Sequence, residues 1–183
     1  MGKRVSDGLV NAHHGLGLGA MDEVEEIGLL MKAAMRESER RINDVLRPLD
    51  LTASQAEVLD MLDRYGPMSL GELGSLMVAE GGHPSRLVDR MVQAGLVSRQ
   101  SAEDDRRRLT LEPTERGRVL SAQARAAKEA FRSWVSSQLD GFDLGPARAF
   151  FATFLAETEM GETVRQRRDK AKIERAHGPD TKA

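Results

Sequence analysis

Apolar side chains recur at Ile27, Leu30, Met31, Ala34, Met35, Ile42, Val45, Leu46 and Leu49, a helical period with charged residues on the opposite face. The spacing predicts a long amphipathic helix over 21–49, stopped near Pro48. Thr52 and Gln55 form a capping-box pattern, after which Val58, Leu59, Leu62 and Tyr65 mark a second helix that Gly66-Pro67 ends. Ser69 and Glu72 repeat the pattern ahead of Leu70, Leu73, Leu76 and Met77, a short third helix. Gly81-Gly82 then breaks the chain. Pro84 suits a first helical turn, and Leu87, Val88, Met91 and Val92 form one apolar face of a fourth helix that Gly95 stops.

After Gly95 the period changes from helical to alternating. Leu96 to Arg99 reads as a strand, Ala102 to Arg108 as a charged tip, and Leu109-Thr110-Leu111, closed by Pro113, as a returning strand. Thr114 is a suitable N-cap for a helix carrying Leu120, Ala124, Ala127, Phe131, Trp134 and Val135 up to Gly141. A last helix follows Gly145-Pro146, with Phe150, Phe151, Phe154 and Leu155 on one side. Beyond about Glu162, Arg165, Arg167, Arg168, Lys170 and Lys172 appear without apolar periodicity, so 162–183 is expected to be a disordered basic tail. No solenoid repeat is present. Helix, helix, short helix, helix and hairpin in this order predict a mainly α fold with a small β-hairpin wing, a winged helix-turn-helix.

Net charge changes the picture in one respect. At −2 over 183 residues it excludes a generally basic surface, so affinity for nucleic acid must come from a local patch. Aromatics at 4% leave little for base stacking. The absence of cysteine removes disulfides, thiolate catalysis, cysteine zinc sites and thiol redox sensing. His13, His14, His83 and His177 lack the spacing of a helix-borne metal site, and no nucleophile with its base, carboxylate pair or phosphate loop is evident. No enzyme activity, cofactor or metal is therefore expected. The Gly-rich stretch within 1–20 is too broken for a secretory leader, and no run is apolar enough for a membrane span, so a cytoplasmic protein with a flexible N-terminal tail is expected.

The local patch has two parts. With its apolar side inward, the fourth helix leaves His83, Ser85, Arg86, Asp89, Arg90 and Gln93 exposed, a set suited to base edges and phosphates in a major groove. The hairpin tip carries Asp105, Arg106, Arg107 and Arg108, where Asp105 can orient Arg107 toward a minor groove.

The run Gly95-Leu96-Val97, seven residues, Asp105-Arg106-Arg107, six residues, Thr114, two residues, Gly117 resembles the signature of the MarR family of regulators. Leu51-Thr52 to Leu59 and Ser85 to Arg90 resemble its second and recognition helices, and the likeness spans roughly 21–155. Gly81-Gly82-His83-Pro84 departs from the family pattern at the start of the recognition helix. The resemblance implies a winged-helix lobe over about 52–117 within a unit of 21–161. It also implies a homodimer held by helices over 21–49 and 118–161, in which Phe131, Trp134, Phe150, Phe151 and Phe154 form the dimer core. Two recognition helices would then meet a pseudo-palindromic operator on double-stranded DNA. It further implies a repressor released by a small, often aromatic effector, with Arg36, Arg40, Arg41 and Tyr65 as candidate ligands. The alternatives are a ligand-insensitive regulator or a winged-helix protein-interaction module.

Overall fold

The computed structural model describes residues 22–78, 83–101 and 109–177, and the chain divides into two units, Met1–Glu39 and Arg40–Ala183. The described part of the first unit is the N-terminal portion of helix α1 (Glu23–Leu46). Asp22 caps it, its Oδ1 accepting the backbone N–H of Val24 at 2.8 Å and of Glu25 at 3.1 Å. Glu23, Glu25 and Glu26 add negative charge at the positive end of the helix dipole. Val24, Ile27, Leu29, Leu30 and Met35 are exposed along this portion.

In the second unit α1 ends at the buried Leu46, and a 3-10 turn over Arg47–Leu49 leads to α2 (Ala53–Tyr65) and α3 (Leu70–Leu76). Both predicted capping boxes form, with Gln55 N–H donating to Thr52 Oγ1 at 3.2 Å and Glu72 N–H to Ser69 Oγ at 3.2 Å. Next come α4 (Pro84–Gln93), strands β1 (Val97–Ser101) and β2 (Leu109–Pro113), and α5 (Glu115–Gln138). The core joins Val58, Leu59 and Leu62 of α2, Leu73 and Leu76 of α3, and Leu87, Val88 and Met91 of α4 to Leu96, Val97 and Leu111 of the hairpin. Each such side chain stabilises the fold by about 1.5–3 kcal/mol through removal from water.

The strands pair antiparallel from Val97↔Pro113 to Ser101↔Leu109. β2 is anchored on its other edge by Leu111 N–H donating to the Met68 carbonyl at 2.8 Å. At the exit of the hairpin, Thr114 Oγ1 donates to the Gly95 carbonyl at 2.7 Å and accepts the Gly117 N–H at 3.0 Å. Gly117 rests so close to Leu96 that a Cβ would lie 2.1 Å from the Leu96 carbonyl oxygen. The spacing Gly95, Thr114, Gly117 is thus one junction that fixes where the wing leaves α5.

The expected disordered tail is corrected by the structure. After α6 (Gly145–Leu155), residues Glu159–His177 form a seventh helix, α7, leaving only 178–183 of the predicted tail outside the described residues. Thr158 starts α7 as Thr114 starts α5: its Oγ1 accepts the Gly161 N–H at 3.0 Å, and Gly161 lies against the Leu155 carbonyl. Along α7, Glu162 pairs with Arg165 and Gln166, and Asp169 with Lys172. Pairs at these spacings support a helix that has no apolar stripe.

Candidate nucleic-acid interface

Helix α4 carries the predicted surface. Pro84 opens it and packs beside Gly74 of α3, while Leu87, Val88 and Met91 are buried. His83, Ser85, Arg86, Asp89, Arg90 and Gln93 are exposed. His83 stands at the N-cap position with no capping bond from its side chain, and its carbonyl accepts the Arg86 N–H at 3.0 Å and the Leu87 N–H at 3.4 Å. Arg86 and Arg90 lie four residues apart on one face, and among the described residues neither is paired with a carboxylate. Asp89 differs. Its Oδ1 accepts a hydrogen bond from Arg99 Nη2 of β1, tying α4 to the hairpin, and this pairing partner was invisible in the sequence. Arg116 adds a second tie, donating to the Ala94 carbonyl at 3.2 Å. Asp105, Arg106, Arg107 and Arg108 of the wing lie outside the described residues.

Of the candidate effector residues in the second unit, Arg40 and Arg41 line one cleft, and Tyr65 is not among its lining residues. Arg36 is exposed in the first unit. Arg40 pairs with Asp44 at 2.9 Å, and the Arg41 guanidinium lies 3.7 Å from the centroid of the Trp134 ring. Arg40, Arg41, Asp44, Val45, Ala130, Phe131 and Trp134 line a cleft of about 270 Å³ between the end of α1 and α5. Tyr65 is placed elsewhere: it packs on the core, with Lys170 of α7 at 5.6 Å from its ring centroid. A second, larger cleft of about 700 Å³ lies between α6 and α7, flanked by Arg148, Arg165 and Arg168.

A polar seam that sequence reasoning missed joins α2 to α5 and α7. The buried Ser121 hydroxyl donates to Asp63 Oδ2 at 3.4 Å, and Arg125 pairs with Asp63 and with Asp60 at 3.5 Å. Glu57 pairs with Arg167, whose guanidinium also reaches Met61 Sδ at 3.5 Å. Lys128 lies at this seam. Burial holds its ammonium below the usual lysine range and the nearby Arg167 lowers it further, while Asp60 and Glu57 pull the other way. The only available signal was the run of carboxylates on the polar face of α2, which does not name its partners. Among the described residues no cluster of His, Asp or Glu is placed to hold a metal, and no helix is long and apolar enough to cross a membrane.

The family model described as MarR family matches residues 51–109. An HTH-type transcriptional regulator of Bacillus subtilis (strain 168), YcgE, is 36% identical over 95 residues, covering 52% of this chain and 54% of that protein. The multiple antibiotic resistance protein MarR of Escherichia coli (strain K12) is 28% identical over 102 residues, covering 56% of this chain and 71% of that protein. Among solved structures, a mutant E. coli MarR complexed with operator DNA superposes with a TM-score of 0.63 at 23% identity, covering 73% of this chain and 96% of that one. That likeness carries the fold: helices α2 to α4 and the β1–β2 hairpin are a winged helix-turn-helix. The matched segment takes in α2, α3, α4 and β1, and over these elements the chain is similar to the MarR family.

Proposed function

We propose that this chain is a homodimeric, sequence-specific DNA-binding transcriptional regulator of the MarR type, with α4 as its recognition helix. The observation that carries the reading is the division of α4 into a face locked in the core and an opposite, exposed face with Arg86 and Arg90, which pair with no carboxylate among the described residues, and Ser85 and Gln93. Arg86 and Arg90 are suited to guanine edges or phosphates, Ser85 and His83 to the groove floor at the helix start. Arg106, Arg107 and Arg108, with Asp105 as orienting acid, supply the wing contact, and Asp89 serves by holding the hairpin to α4. The relative bound to operator DNA supports this reading by its fold. Exposed Phe150, Phe151 and Phe154 on α6 support a second copy as the partner that covers them. The finer reading is a repressor that releases DNA when a small aromatic effector enters the cleft beside Arg40, Arg41 and Trp134.

The test is fluorescence anisotropy with duplex DNA from upstream of the chain's own gene, over a salt series and against scrambled competitor. Competitor-resistant binding at two chains per site is expected. Arg86→Ala should weaken it by about 1–3 kcal/mol and relax preference at one base position, whereas Arg107→Ala should weaken it and flatten the salt dependence. Unchanged affinity in both variants would remove α4 and the wing from the interface.

A further inference from the structure

The cleft between α6 and α7 is fixed where the two helices meet. There the Arg165 guanidinium donates to the Ala156 carbonyl and to Glu162 Oε2, each at 2.9 Å, and Gly161 leaves no room for a Cβ against the Leu155 carbonyl. α7 is seated in turn on α3. The wall of the cleft is mainly aliphatic: Ala147, Ala152, Leu155 and Val164 line it, with Phe151 as its one ring. Phe150 holds that ring edge-on, the centroids 5.2 Å apart. Phe150 and Phe154 do not line the cleft; they stack on each other at 6.1 Å along a different side of α6, and Phe151 stands between the two sides. Charge in the cleft is of one sign. Arg148, Arg165 and Arg168 line it, and no Asp or Glu does. Arg165 is engaged by Glu162, whereas Arg148 and Arg168 enter no ion pair among the described residues. Arg168 helps to draw the neighbouring Asp169 carboxyl down, but that carboxylate is hydrogen-bonded to Lys172 at 2.9 Å.

We propose that this cleft binds an aliphatic monocarboxylate, its chain laid on the apolar wall and its carboxylate held by Arg148 and Arg168. A guanidinium matches a carboxylate with two parallel hydrogen bonds, and a cleft lined by cations alone favours an anion over any neutral molecule of the same shape. The volume of about 700 Å³ is that of a small-molecule site. Ala147, Ala152 and Ala156 keep the α6 side of the wall low, which suits an extended chain, and a single ring offers little for an aromatic ligand to stack on. The site is distinct from the cleft at Arg41 and Trp134, and it goes beyond the DNA-binding reading without resting on it.

The test is equilibrium dialysis of the full chain against labelled octanoate, decanoate and decanol. Decanoate is expected to saturate at one molecule per chain and to bind up to about fourfold more tightly than octanoate for each added methylene. Decanol keeps the chain and lacks the charge, and should bind at least about tenfold more weakly. Arg148→Gln and Arg168→Gln, both at exposed positions, should each weaken decanoate by roughly tenfold with far-UV helicity unchanged. Ala152→Phe, which fills the wall, should abolish binding. No saturable binding of decanoate, equal affinity for decanol, or an affinity that none of the three variants alters would overturn the proposal. A second copy is the rival occupant. Sedimentation equilibrium is expected to give the same mass for wild type and Ala152→Phe, and a lower mass in the variant would seat the second copy in the cleft and overturn the proposal equally.

Discussion

Gly117 shows how much one missing Cβ can decide. With the Leu96 carbonyl oxygen 2.1 Å from where that carbon would stand, Gly117→Ala must push α5 away from the hairpin exit and stretch the Thr114 bonds that close the junction. Urea unfolding should report a loss of about 1–3 kcal/mol, the usual cost of overpacking. Gly71→Ala, in open space on α3, is the control and should be neutral or slightly stabilising. Lys128 offers a test in pH. Its native pKa lies below the ordinary value of 10.5, first because of burial, so between the two values the unfolded chain binds more protons than the native one. The unfavourable contribution is therefore complete below the native pKa and relieved as pH climbs toward the ordinary one. Lys128→Met should be more stable than wild type at neutral pH, by no more than about 1 kcal/mol, with the advantage shrinking in alkaline buffer. An advantage that grew with pH would reverse the assigned sign.

Elements with caps and an apolar face were legible in the sequence, and those held by polar contacts were not. Thr52 with Gln55 and Ser69 with Glu72 announced α2 and α3 at their first residues, since a capping box is a local bond pattern. The exposed face of α4 followed from Leu87, Val88 and Met91 alone. α7 escaped because its support is a series of ion pairs and one distant carboxylate, none of which leaves an apolar period. A local signal was nonetheless present: Thr158 and Gly161 repeat the spacing of Thr114 and Gly117, and both pairs start a helix at a carbonyl that a Cβ would strike. The partner of Asp89 escaped for a related reason. Its exposure on α4 is real, but its hydrogen bond to Arg99 spans two elements, and only the folded chain brings them together.

Among the described residues, large apolar side chains are kept from solvent along α2, α3 and α4 but not along α1 and α6. Of the large apolar residues of α2, α3 and α4 none is exposed, whereas α1 exposes Ile27, Leu30 and Met35 and α6 exposes Phe150, Phe151 and Phe154. On the proposed reading a second copy covers the exposed apolar side chains of α6, whereas the winged helix satisfies its own core. The cleft between the end of α1 and α5 also carries its own reporter. Trp134 is the sole tryptophan in the chain, and the Arg41 guanidinium covers its ring. The indole emission of the unlabelled protein therefore reads the state of that cleft. An aromatic acid that takes the place of Arg41 should shift or quench it in a saturable titration, while an acid bound between α6 and α7 should leave the spectrum unmoved.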